Sequence, residues 1–129
     1  MLSVGIFVFD EVEVLDFAGP FEVLSTAGRV RARAGEPAPF RVLTIGKGSG
    51  AVRARGGLSL VPEHSFVDHP KLDVVIVPGG DVTRELEDDL VSEWIRKVTG
   101  AARLTAAVCT GAFLLGRAGL LKGRRVTTH

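Results

Sequence analysis

The feature that most constrains this chain is a set of short, nearly uncharged apolar runs separated by helical stretches. Ser3 to Phe9 (SVGIFVF), Phe40 to Ile45, Asp73 to Val77 (DVVIV) and Leu104 to Val108 are such runs. None alternates polar with apolar residues, so each reads as a strand buried on both faces. Between the first two lies Glu11 to Ala27, with Val12, Leu15, Phe17, Phe21, Val23 and Leu24 at mostly helical spacing. Gly19-Pro20 marks a helix start part-way along, and Gly28 marks its end. Arg29 to Pro39 reads as a basic loop bearing Pro and Gly. Ala51 to Val61 reads as a hairpin turning at Gly56-Gly57. Thr83 to Thr99 is acidic at its start and carries Leu86, Leu90, Trp94, Ile95 and Val98 on one helical face. Thr110 to Ala118 is a small-residue helix closed by Gly119. Strands alternating with helices predict an α/β fold: a mostly parallel sheet covered on both faces.

The 129 residues suit one domain at about 150 residues per domain, and that size buries a core without a metal or disulfide. Gly123 to Thr128 reads as one more strand, with nothing after His129 to complete the layer over it. We therefore expect a single domain over residues 1–129 that is incomplete on its C-terminal side. Sixteen basic and 15 acidic side chains leave a net charge of +1, which gives no electrostatic case for nucleic acid or an acidic membrane surface. The longest charge-free apolar stretch, Leu104 to Gly116, falls short of the roughly 20 residues a bilayer requires. With no basic leader and a single cysteine, the expected setting is the cytoplasm. The chain lacks Asn, Gln and Tyr and holds 12 arginines against 4 lysines. Loss of amides is a mark of heat-adapted proteins, and a GC-rich genome gives the same bias, so a thermophilic bacterium is a source consistent with the composition.

The strongest chemical signal is Leu104 to Phe113, LTAAVCTGAF. Cys109 stands where a buried strand meets a helix, with Ala107 and Gly111 two places to either side. A nucleophile elbow needs that pattern, because the sharp turn leaves room only for small neighbours. The free N–H groups and positive dipole end of the helix favour a thiolate. The alternative is a buried cysteine acting as a small hydrophobe. Pro78-Gly79-Gly80 follows a parallel strand, where open α/β sheets place ligand sites; the Gly80 and Thr110 amides would form an oxyanion hole, or the glycines merely serve a tight turn. Asp16, in LDFAGP, is either a helix cap or a carboxyl within hydrogen-bond reach of Cys109, whose apolar neighbours would keep it protonated. His129 is a further candidate partner for the cysteine. His64, Asp68 and His69 (HSFVDH) lack a fourth ligand between their flanking prolines and read as a surface loop rather than a metal site. The arginines at 29, 31, 33, 53 and 55 read as a solvated face.

Taken with their spacing, GIFVFDEVEVLDFAGPFEVL, DVVIVPGG and AAVCTGAFLLGRAGLLKGRRVTTH resemble the ThiJ/PfpI superfamily, the class I glutamine amidotransferase-like fold. The resemblance covers essentially the whole chain and implies a flavodoxin-like three-layer sandwich. It matches Cys109 to the family's elbow cysteine, Asp16 to its facing acid, Gly80 and Thr110 to its oxyanion-hole amides, and His129 to a histidine of several branches. Proteolytic members carry His directly after the nucleophile; Thr110 stands there, which disfavours a peptidase. LDFAGP and the CTGA elbow are most similar to isonitrile hydratases. On that branch a small-molecule substrate, a homodimer and no cofactor are expected, with Cys109, Asp16, Thr110 and His129 in the catalytic set. The same pattern occurs in sensor domains of AraC-type transcription regulators, and a reactive cysteine also suits redox sensing.

Overall fold

A computed structural model describes residues 1–129. Five parallel strands form one sheet: β1 (Leu2–Phe7), β2 (Phe40–Gly46), β5 (His64–Ser65), β6 (Val74–Val77) and β7 (Leu104–Ala107), in the order β5-β2-β1-β6-β7. The four long apolar runs became β1, β2, β6 and β7. Strand β7, expected to be buried on both faces, is only partly covered, with Leu104 59% exposed, because it lies at the edge of the sheet. Val4, Ile6, Ile45, Val75 and Val77 are almost fully buried. A two-stranded antiparallel hairpin, β3 (Val52–Arg53) and β4 (Ser59–Leu60), stands apart from it.

Four helices complete the chain: α1 (Val14–Arg33), α2 (Thr83–Glu87), α3 (Asp89–Ala101) and α4 (Gly111–Arg117). The chain steps from β1 to β2 in one direction along the sheet and from β6 to β7 in the other. Right-handed crossovers therefore put α1 on one face and α3 on the other, giving the three-layer α/β sandwich. The point where the direction reverses, between β1 and β6, is where such sheets leave a crevice at their carboxyl edge.

Several elements differ from the sequence expectation. Helix α1 does not begin at Gly19-Pro20 or stop at Gly28; it runs through all three. Proline keeps a helical φ and removes only one hydrogen bond, while the start is fixed further back, where the Glu13 amide donates to Gly79 O at 2.9 Å. Its end comes at Gly35, φ +74°, so Arg29, Arg31 and Arg33 belong to the helix rather than to a loop. There Arg29 pairs with Glu22 at 2.9 Å and Arg31 with Glu36 at 2.5 Å.

The stretch from Thr83 divides at Asp88, whose extended backbone breaks the helix and whose carboxylate accepts from Leu90 N at 3.0 Å to cap α3. The hairpin closes through Ala54–Gly57, with Gly57 N donating to Ala54 O at 2.9 Å, so Arg55-Gly56 and not Gly56-Gly57 forms the centre of the turn.

HSFVDH is not a bare surface loop. His64 and Ser65 pair with Ile45 and Gly46 at the sheet edge, and His69 Nε2 accepts from Trp94 Nε1 at 2.9 Å. Phe66 stacks on Trp94 with ring centroids 4.3 Å apart. Residues 123–128 form no strand; they leave the open edge of β7 unpaired and run as a tail after α4.

No helix is long and apolar enough to cross a membrane. Ile6, 0% exposed in β1 between β2 and β6, anchors the sheet. Ile6→Ala is expected to lower unfolding free energy by about 2–5 kcal/mol, measured by chemical denaturation.

Candidate functional site

The site is assembled from three connections at the carboxyl edge of the sheet. In-register pairing makes this possible: Val4 opposes Val74, and Val74 opposes Leu104. The segments that leave β1, β6 and β7 consequently emerge close together.

After β7 the chain turns sharply into α4. Cys109, partly exposed, has φ +54°, a left-handed backbone that costs a non-glycine residue of the order of 1–3 kcal/mol. The elbow geometry expected from LTAAVCTGAF is therefore present. Gly111 makes the turn possible. A Cβ there would lie 2.0 Å from Val77 O and 2.8 Å from Pro78 O, so only a glycine lets α4 begin directly over the end of β6.

The close approach joins the other two connections. Thr110 Oγ1 accepts from Gly80 N and donates to Gly80 O, each at 3.0 Å. Gly79 N donates to Asp16 Oδ2 at 3.2 Å. Asp16 is only 8% exposed, which excludes the solvent-facing helix cap; in addition, the N-cap position of α1 is Glu13. A Cβ on Gly79 would lie 2.5 Å from Thr110 Oγ1 and 3.1 Å from Asp16 Oδ2. Gly79 is thus the hinge through which acid and elbow meet.

Asp16, Gly80, Cys109, Thr110 and His129 line one pocket of about 410 Å³, together with Glu13, Leu15 and Arg55. All five residues singled out from the sequence meet there. His129 arrives because the tail folds back, with Thr128 Oγ1 donating to Cys109 O at 2.7 Å. Two details differ from expectation. The Asp16 carboxylate is hydrogen-bonded to the Gly79 amide and makes no hydrogen bond with Cys109 Sγ. The Gly80 amide is engaged by Thr110 Oγ1, whereas the Thr110 amide donates to no group of the chain.

Arg55 and Glu13 were not legible as site residues. Arg55 comes from the hairpin turn, brought in as its amide donates to Val12 O at 2.9 Å. No local sequence signal marks either one, since Arg55 depends on how the hairpin docks and Glu13 on the hydrogen bond of its amide to Gly79 O. The His64, Asp68 and His69 side chains lie in the sheet-edge segment and outside this pocket, and no group of His, Cys, Asp or Glu is placed to hold a metal ion.

An edge-of-sheet pocket built on a strained cysteine, a buried acid and a glycine-rich strand end defines a class. The chain belongs to the DJ-1/PfpI family, whose model matches residues 2–129. It is 39% identical to isonitrile hydratase from Pseudomonas putida over 99% of its own length and 52% of that protein. It is 30% identical to the HTH-type transcriptional regulator GbdR of Pseudomonas aeruginosa, over 98% of this chain and 34% of the regulator. The chain thus spans about half of the first relative and a third of the second. Among solved structures, a ThiJ/PfpI family protein from Pseudomonas syringae superposes with a TM-score of 0.81 at 26% identity, covering 95% of this chain and 48% of that one. Drosophila melanogaster DJ-1beta superposes with a TM-score of 0.74, also at 26% identity, covering 92% and 61%.

Gly111→Ala is expected to destabilise the fold by about 1–3 kcal/mol through overpacking, and to relax the Cys109 elbow. Thermal denaturation measures the first effect, and the rate of Cys109 alkylation under native conditions the second.

Proposed function

We propose that the chain is a cysteine-dependent small-molecule enzyme acting as an isonitrile hydratase, which adds water to an isocyanide and releases an N-substituted formamide. The observation that carries this reading is Cys109 held at φ +54° in the pocket it shares with buried Asp16. The 39% identity to the Pseudomonas putida enzyme supports it.

In this reading the Cys109 thiolate forms a C–S bond to the isocyanide carbon, and that same carbon takes a proton from Asp16. Water then adds to the resulting thioimidate carbon. One of its protons returns to Asp16 and the other reaches nitrogen as the C–S bond breaks, so thiolate and acid are restored and one water is consumed. The unpaired Thr110 amide is the donor available to charge developing beside the sulfur. The Thr110 hydroxyl, tied to Gly80, positions the strand end. His129 and Arg55, on the pocket wall, orient substrate and water. No cofactor enters this scheme.

A second reading, a ligand-sensing domain of an AraC-type regulator, is favoured by the 30% identity to GbdR. Saturable binding of a small molecule without turnover separates it from the enzyme. A peptidase is disfavoured because Thr110, not His, follows the cysteine.

Cys109 in the folded chain is expected to be alkylated by iodoacetamide, at a rate that changes in Asp16→Ala. Cys109→Ala is expected to abolish isocyanide turnover while leaving the fold intact. A Cys109 inert to alkylation in the folded chain, together with no isocyanide turnover, would overturn the enzymatic reading.

A homodimer is also proposed. Leu15, Val23 and Val30, which are 74%, 69% and 56% exposed, share one stripe of α1 by helical spacing and offer an apolar surface for a second copy. Light scattering at micromolar concentration is expected to give twice the 13.7 kDa chain mass, and Val23→Glu to give the monomer.

A further inference from the structure

A second cavity, of about 370 Å³, opens at the same edge of the sheet and shares no lining residue with the Cys109 pocket. It lies among the ends of β1 and β2 and the α2–α3 corner. The buried side chains of Phe7, Phe9 and Val91 form its floor, Ala51 and Val52 give it accessible apolar surface, and Asp10, Lys47, Arg84, Glu85 and Asp88 bring charge to it.

Glu85 is the unusual member. The residue is 8% exposed, yet its carboxyl has neither a hydrogen-bond nor an ion-pair partner in the chain. A carboxyl this sheltered is costly to ionise, and its oxygens meet solvent in an open cavity large enough for a guest. The neighbouring charges do not relieve it. Lys47 is committed to Asp88. Asp10 Oδ1 accepts from Arg53 N at 2.9 Å, which leaves its second oxygen free. Arg84 is the one cation facing Glu85 without an ion pair, against acids at Asp10, Asp81 and Asp88. Burial first, and then the Asp10 charge, push the Glu85 carboxyl up to about 7.

We infer that this cavity binds a small organic ammonium ion, its N–H groups donating to Glu85 and Asp10 and its alkyl body resting on Ala51 and Val52. Other ligand classes fit worse. A hard divalent cation needs several oxygen ligands in a defined shell, and no such group of side chains converges here. An anion would face the free oxygens of Asp10 and Glu85. The volume is at the small end of the roughly 300–1,000 Å³ typical of ligand pockets, so the guest is a short alkylamine-sized molecule. Binding is coupled to proton loss from Glu85, because the ammonium ion pairs only with the ionised carboxyl.

Titration calorimetry of the 129-residue chain with n-butylammonium chloride, with butyrate and n-butanol as controls, tests this. Binding is expected at about pH 8 and about 30-fold weaker at about pH 5.5, the factor that follows from a carboxyl titrating near 7. Buffers of different ionisation enthalpy should report proton release near neutral pH. Glu85→Gln is expected to lose most of the affinity and all of that pH dependence.

The variant should fold, because the native carboxyl is a burden. Stability of the parent chain declines as pH rises from about 4.5, where the unfolded Glu85 ionises, to about 7, where the folded one does. Glu85→Gln removes that decline. Asp10→Asn provides a second variant that keeps an acceptor for the Arg53 amide; it should weaken butylammonium binding and move the pH midpoint of binding downward. Butyrate binding as tightly as butylammonium, unchanged affinity in both variants, or no heat up to the order of 50 mM butylammonium would each overturn the proposal.

Discussion

The candidate site depends on how closely the first turn of α4 lies against the end of β6. With only a hydrogen where a Cβ would stand 2.0 Å from Val77 O, Gly111 lets the helix begin over the strand instead of beside it. The connection from β7 then has no room for an ordinary turn, and Cys109 takes φ +54°. The same approach brings Thr110 Oγ1 to both polar groups of Gly80. Gly79 is thereby fixed with its amide toward Asp16. One steric allowance thus sets the conformation of Cys109, the position of the free Thr110 amide and the partner of the buried acid.

The sheet supplies the frame for that arrangement. The strands run parallel, so the segments that leave β1, β6 and β7 for a helix all do so at the same edge. With β1, β6 and β7 in register, the reversal of strand order places the Asp16, Gly79 and Cys109 connections side by side. The second cavity has the same origin, on the β1–β2 side of that edge, where Asp88 holds the α2–α3 corner in place by capping α3 and pairing with Lys47. The edge therefore carries two pockets of contrasting chemistry: one around a strained sulfur, the other around an unpaired carboxyl.

Much of this was legible in the chain itself, and the failures share a cause. The apolar runs reported strands because burial on both faces leaves a local mark. Cys109 between Ala107 and Gly111 reported the elbow because sterics restrict the neighbours. By contrast, Gly19-Pro20 and Gly28 were misread as helix limits, although α1 spans them. Local propensity is a weak bias, and the Glu13–Gly79 hydrogen bond and burial of Phe17 outweigh it. HSFVDH looked like a solvated loop because a two-residue edge strand has no periodicity to detect. Arg55 looked like part of a charged face because nothing in the hairpin states where it docks. Residues 123–128 look like a strand but leave the open edge of β7 unpaired.

Residue pattern left Asp16 open between helix cap and facing acid, and only the family resemblance favoured the acid. By itself, then, the sequence determined the parallel sheet, its covering helices and the elbow cysteine. Each of these follows from patterns spanning a few residues: continuous hydrophobicity, small flanking side chains, glycine after a strand. Only the tertiary structure decided that Asp16 hydrogen-bonds the Gly79 amide, that Thr110 Oγ1 engages Gly80, that Arg55 joins the pocket, and that Glu85 is buried without a partner. Those are meetings between residues from about 30 to about 75 positions apart along the chain. They depend on the relative placement of packed elements, which short-range pattern does not encode.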